Sequence, residues 1–159
     1  MNGHPTGTVT FLFTDIEGST QLWERQAAAM RVALSQHDEL LRGAIIAHGG
    51  YVFKTVGDAF CAAFATPAAA LDAALDAQRG LRASDAADGA AAEGGVRIRV
   101  RMALHTGAAQ ERDGDYFGPA VNRVARLMAA GYGDQILVSL PTSELLRDHL
   151  PVGVELADL

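Results

Sequence analysis

The sequence carries one cysteine, Cys61. A single thiol cannot close an internal disulfide, so a reducing, cytoplasmic setting is expected. Cys61 lies in the apolar run 59–64, where it reads as a small buried side chain rather than a nucleophile. Long hydrophobic runs are also missing. None approaches the length of a membrane span, and the polar start, residues 1–7, does not look like a signal peptide. Positive charge is scarce, with 13 Lys and Arg against 19 Asp and Glu and a net charge of −6. That balance opposes a nucleic-acid partner or an anionic membrane surface, which call for a basic face. It does not oppose a nucleotide, because bound metal ions invert the local charge around a phosphate. His37, His48 and His105 have no metal-ligand spacing and read as packing or capping residues. No internal repeat is present. There is apolar material in quantity: 159 residues with 49% hydrophobic content suffice for one globular domain with a real core.

Residues 8–14 (TVTFLFT) are β-branched and aromatic and read as a buried strand ending at Asp15. Glu17-Gly18-Ser19-Thr20 then signals a helix start. Residues 22–48 read as helix with one break. Trp23, Met30, Leu34, His37, Leu41, Ile45 and His48 recur at helical steps on one inward face, and Gly49-Gly50 stops the run. Residues 51–55 and 59–64 are expected as strands joined by a tight hairpin at Val56-Gly57-Asp58. Pro67 opens an alanine-rich helix to about residue 81, and 83–95 is expected as a mobile loop. Residues 96–105 alternate as a long strand, with Val96, Ile98, Val100, Met102 and Leu104 on one side and Arg97, Arg99 and Arg101 on the other. A helix over 118–130, a strand over 135–139 and a helix over 141–147 complete the chain. The order strand–helix–strand–strand–helix–strand predicts a ferredoxin-like α/β sandwich, here with an extra C-terminal strand and helix.

In such a sheet the first and third strands are antiparallel neighbours, so Asp15 and Asp58 should arrive at the same end. Two carboxylates there suit Mg²⁺ or Mn²⁺, which bind through one or two acids plus substrate phosphates. Taken singly, Asp15 reads as a helix cap and Asp58 as a turn residue. Their convergence favours two metal ions. Gly18-Ser19-Thr20, directly after the first acid, offers backbone N–H groups at a helix start to a phosphate chain.

Three blocks of the sequence carry a resemblance: Phe13-Thr14-Asp15-Ile16-Glu17-Gly18-Ser19-Thr20, Lys54-Thr55-Val56-Gly57-Asp58-Ala59-Phe60 and Gly118-Pro119-Ala120-Val121-Asn122-Arg123-Val124-Ala125-Arg126-Leu127. In order and spacing they resemble the signatures of class III adenylyl and guanylyl cyclase catalytic domains, over nearly the whole chain. The resemblance implies that Asp15, Ile16 and Asp58 hold two divalent cations, Mg²⁺ or Mn²⁺. It assigns the catalytic pair to Asn122, which orients the ribose, and Arg126, which stabilises the transition state. Their i, i+4 spacing sets both on one helical face. Arg101 matches a phosphate-contacting arginine. Taken alone, Arg126 and Arg101 read as solvated surface charges.

Base choice rests, by the same resemblance, on Lys54 and Asp115. An ammonium donates to adenine N1 and a carboxylate accepts from the N6 amino group, whereas guanine presents the opposite pattern. Without the resemblance, Asp115 reads as a turn residue following Arg112-Asp113-Gly114. The expected activity is conversion of ATP to 3′,5′-cyclic AMP and pyrophosphate. The resemblance implies a head-to-tail homodimer, with Asp15, Asp58 and Arg101 from one protomer and Lys54, Asp115, Asn122 and Arg126 from its partner. It also implies regulatory domains in a longer parent protein. The alternatives are a guanylyl cyclase, opposed by Lys54 and Asp115, and a catalytically dead nucleotide-binding or dimerisation module. A dinucleotide cyclase would want a second acid after Asp58, where Ala59 stands. The chain stops at 154–159, a segment that reads as the start of a strand. Family members usually continue into a β-hairpin with a triphosphate-gripping lysine, which has no counterpart here.

Overall fold

The computed structural model describes residues 4–88 and 96–159. In chain order the elements are β1 (Gly7–Ile16), α1 (Ser19–Arg25), α2 (Ala27–Ala47), β2 (Tyr51–Val56), β3 (Ala59–Phe64), α3 (Pro67–Asp88), β4 (Val100–Arg112), β5 (Asp115–Phe117), α4 (Pro119–Ala129), β6 (Ile136–Val138) and α5 (Leu140–Leu146). The strand order is β2-β3-β1-β4-β5, with β6 also on β4. Pairs β2–β3, β3–β1, β1–β4 and β4–β5 are antiparallel, and β6 runs parallel to β4. The first four strands and the helices between them form the expected ferredoxin-like core, and β6 and α5 are the C-terminal additions.

The expected helical break falls at Gln26, whose backbone leaves the helical region between α1 and α2. On α2 the side chains of Met30, His37, Leu41 and Ile45 are buried against the sheet. Three expectations are corrected. The alanine-rich helix does not end near residue 81 but runs to Asp88. A scarcity of bulky side chains does not unmake a helix, since alanine is the best helix former. Residues 89–95 of the expected loop lie outside the described residues. The strand expected from 96 starts at Val100 and runs on to Arg112. From Met102 to Thr106 every residue is buried, because both faces of the sheet are covered there. The segment 154–159 is not a strand; it has no regular structure and lies beside β6 and α5.

Two apolar layers flank the sheet. Leu12, Phe60, Ala62, Phe64, Met102 and Leu104 face α2 and α3. On the opposite face Val9, Phe11, Phe13, Cys61, Ala63 and Ala103 meet Tyr116 and the α4 residues Ala120 and Val124. Phe11 is fully buried there, and truncating such a ring to alanine costs about 3–5 kcal/mol.

This second face has one unusual feature. β2 and β5 stand at opposite ends of the strand order, yet the rings of Phe53 and Tyr116 are 4.8 Å apart, edge to face. Tyr116 also meets Phe11 at 5.4 Å. The β4–β5 hairpin therefore folds over the sheet instead of extending its plane. Its turn, Asp113-Gly114, has φ of 55° and 81°, the two positive angles of a type I′ hairpin.

Candidate active site

The antiparallel register of β1 on β3 pairs Thr14 with Phe60. One residue beyond Thr14 is Asp15, and two before Phe60 is Asp58, so the two carboxylates reach one end of adjacent strands as expected. Asp58 Oδ1 lies 3.5 Å from the Ile16 backbone N. Gly57, at φ 58°, takes the sharp turn that presents Asp58. The Ile16 side chain is buried, so only its backbone can face a ligand.

Across the other edge of β1, Asp15 stands opposite Arg101 on β4. Arg101 Nε donates to Asp15 Oδ1 at 2.7 Å and an Nη to Oδ2 at 2.6 Å, a two-pronged ion pair. Its contact with Asp15 raises the guanidinium pKa above its ordinary value. The side chains of both residues are largely covered, at 26% and 21% exposure. Two half-buried carboxylates with hard oxygen donors suit Mg²⁺ or Mn²⁺, whose remaining positions go to water and phosphate. Among the described residues no group of three or more His, Cys, Asp or Glu gathers at metal-binding spacing.

Gly18 is the N-cap of α1 in the left-handed region, and no side-chain hydrogen bond caps that end. A cleft of about 610 Å³ opens beside it, lined in part by Arg25, Arg97 and Arg99. Ser19 and Thr20 form the first residues of α1.

Lys54 and Asp115 meet under the folded hairpin, with Nζ to Oδ2 at 3.0 Å. Lys54 is the only lysine in the chain. A bulge makes the meeting possible. The register of β2 on β3 slips between Val52 and Lys54, so Lys54 rather than Phe53 stands opposite Cys61. Without the slip, the period-two alternation would turn Lys54 to the α2 side. Beneath the pair, burial pushes the Cys61 thiol up to about 11. Asp115 Oδ1 accepts the Tyr116 N–H at 2.7 Å, leaving Oδ2 for the ammonium.

On α4, Pro119 supplies the helix start, and Ala120 and Val124 bury one stripe. Asn122 and Arg126, one turn apart, are exposed. Five of the predicted side chains thus fall into two groups on one face of the sheet. Asp15, Asp58 and Arg101 are brought together, as are Lys54 and Asp115, while Asn122 and Arg126 stand free on the helix surface. His37, His48 and His105 each have a side-chain partner: His37 Nδ1 meets Asp38, His48 meets Asp76 and His105 meets Ser139.

Sequence reasoning missed two residues of the site. The Glu17 carboxylate accepts the Gly133 N–H at 3.1 Å and its own N–H donates to Arg99 O at 2.8 Å, fixing the loop after Asp15. A Cβ at Gly133 would come within 2.5 Å of Arg99 Cβ, so this approach requires glycine. The glycine was the available signal. Tyr51 donates to Gly114 O at 2.9 Å, and no local pattern marked it.

The family described as the adenylate and guanylate cyclase catalytic domain matches residues 1–156. An uncharacterized protein of Mycobacterium tuberculosis is 40% identical over 157 residues, covering 98% of this chain and 50% of that protein. An adenylate cyclase of Lachancea kluyveri is 37% identical over 154 residues, covering 85% of this chain and 8% of that enzyme. The chain thus spans about half the length of the mycobacterial relative. Among solved structures, an adenylate/guanylate cyclase/hydrolase from Silicibacter pomeroyi matches with a TM-score of 0.79 at 31% identity, over 90% of this chain and 81% of that one.

Proposed function

The chain belongs to the class III adenylate and guanylate cyclase catalytic domains, and from that premise we propose that it is an adenylyl cyclase, converting ATP to 3′,5′-cyclic AMP and pyrophosphate as a homodimer in the cytoplasm. The observation that carries the choice of ATP is the Lys54–Asp115 pair, 3.0 Å apart on the sheet face. A donor and an acceptor side by side match adenine N1 and N6 and mismatch guanine. In the free chain the two satisfy one another, and the purine edge would replace each partner for the other.

The family generally uses divalent metals. Asp15, the Ile16 backbone and Asp58 would hold two such ions, which when bound acidify the ribose 3′-hydroxyl and neutralise the departing pyrophosphate. Everything else falls to the chain's own side chains. Arg101 has five donors and spends two of them on Asp15. With a triphosphate present it would turn its fork to the phosphate oxygens, a geometry it suits as well as a carboxylate. Gly18, Ser19 and Thr20 would lie along the phosphate chain. Asn122 would fix the ribose, so that its 3′-oxygen lines up behind the α-phosphorus. Arg126 would stabilise charge growing on the α-phosphoryl oxygens, the main kind of contribution a protein makes to phosphoryl transfer. Asn122 and Arg126 are exposed on α4, which supports a site completed across a two-fold axis: Asp15, Asp58 and Arg101 from one protomer, Lys54, Asp115, Asn122 and Arg126 from its partner.

The test is direct. Labelled ATP or GTP is incubated with the protein and Mn²⁺, and the cyclic products are separated. Cyclic AMP formed in preference to cyclic GMP supports the reading. Cyclic GMP in preference makes the chain a guanylyl cyclase, and neither product makes it a non-catalytic binding module.

A further inference from the structure

We infer that Tyr51 is a positioning residue for base recognition: its hydroxyl, bonded to the Gly114 carbonyl, holds the folded β4–β5 hairpin so that Asp115 stays beside Lys54 when a purine enters. The inference rests on the adenine-reading role proposed above for those two residues.

The need for such a tether follows from the hairpin's construction. The ladder of β1 on β4 ends at Gly7–Ala109, so the chain beyond Ala109 has no support from β1. β5 adds only three rungs, all to β4 itself. Glu111 Oε2 accepts the Gly114 N–H at 2.8 Å, which stiffens the turn, and reaches β2 only indirectly, at 3.8 Å from the His4 ring that stacks on Tyr51. Tyr116 anchors the root, through its ring among Phe11 and Phe53 and its hydroxyl on Pro5 O at 2.6 Å. The tip, where Asp113, Gly114 and Asp115 sit, meets β2 through two polar contacts: Lys54 to Asp115, and Tyr51 to Gly114.

Only one of these can persist in the working state. The Lys54 side chain is 46% exposed, and an ion pair that open contributes little. More decisively, base reading requires that pair to part, because each member must turn to the purine edge. The Tyr51 bond has no such conflict, since its acceptor is a backbone carbonyl next to Asp115. The phenol is itself fixed: the His4 ring stacks on it at 3.8 Å, within 8° of parallel. The turn is fitted to the hydroxyl, because a Cβ on Gly114 would lie 2.9 Å from Tyr51 Oη and its φ of 81° already favours glycine.

Tyr51→Phe removes the hydroxyl and keeps the ring, so folding is preserved. The probes are 3′-deoxy-ATP and 3′-deoxy-GTP, which lack the attacking oxygen, and their affinities for the intact dimer are measured by calorimetry with Mn²⁺. Loss of one neutral hydrogen bond should weaken 3′-deoxy-ATP about threefold to tenfold and leave 3′-deoxy-GTP nearly unchanged. The melting temperature should move by no more than about 5 °C. In an Asp115→Ala background the same change should have no further effect, because nothing remains to be positioned. Equal weakening of both nucleotides, no weakening of either, or an undiminished effect in the Asp115→Ala background would overturn the inference. A wild-type protein that binds both probes equally would instead refute the base-reading role of Lys54 and Asp115, and this inference with it.

Discussion

The site holds two charge pairs built in different ways. Asp15 and Arg101 face each other across adjacent central strands, in register and half-buried, with a two-pronged contact. Lys54 and Asp115 come from opposite ends of the strand order and meet because a bulge turns one and a folded hairpin delivers the other. The first pair is part of the sheet and shares its rigidity. The second depends on a short arm held by a few aromatic and hydrogen-bonding contacts. On the proposed reading, the chemistry that tolerates no misplacement would sit on the rigid half, and the choice of base, which needs room for a ring to enter, would sit on the adjustable half.

Substitutions in the rigid half should have the largest effect. Asp15→Ala or Asp58→Ala should lower cyclase activity by several orders of magnitude, because each would remove one of the two carboxylates proposed to hold the metal ions. Circular dichroism should change little in both, since neither side chain belongs to the apolar layers, while melting should fall in Asp15→Ala alone, which strips Arg101 of its partner. Near-normal turnover of either variant at saturating Mn²⁺ would erase the distinction between the halves.

Changes in the adjustable half should be smaller and selective. Lys54→Glu should reduce kcat/KM for ATP by at least about tenfold, as expected for losing a charge-assisted hydrogen bond. Adding Asp115→Gly should raise GTP use relative to ATP. An unchanged ATP to GTP ratio in the double variant would mean that neither residue reads the base.

The gentlest probe uses the chain's single lysine. Acylation of Lys54 by an amine reagent, read by mass spectrometry, should be slowed several-fold by 3′-deoxy-ATP and much less by 3′-deoxy-GTP. Equal protection by both would place the purine away from Lys54.

The difference between the halves also explains what could be read without coordinates. The Asp15–Asp58 convergence needs only that β1 and β3 be antiparallel neighbours, and the order of strand and helix signals implied that. The i, i+4 spacing of Asn122 and Arg126 followed from local periodicity in the same way. Lys54 and Asp115 were singled out by family resemblance, and nothing in the pattern around them showed how they would meet. The bulge at Phe53 leaves no trace in the alternation of a six-residue strand, and a hairpin's fold across a sheet depends on distant rings such as Phe11. Tyr51 was overlooked for the same reason: its partner lies 63 residues away. The helix boundary near residue 81 fails for a different reason: low side-chain bulk reads as loop, yet alanine is the best helix former.

The proposed site joins the two halves across a dimer, with Asp58 and Arg126 meeting from different chains. Asp58→Ala and Arg126→Ala proteins, each inactive alone, are mixed and allowed to re-equilibrate, with differently tagged chains to count heterodimers. Random pairing puts about half the population in heterodimers, each with one doubly damaged and one intact pocket, so activity should return to about one quarter of wild type. No recovery at any mixing ratio, with heterodimers confirmed by the tags, would confine the site to one chain and rule out a shared one.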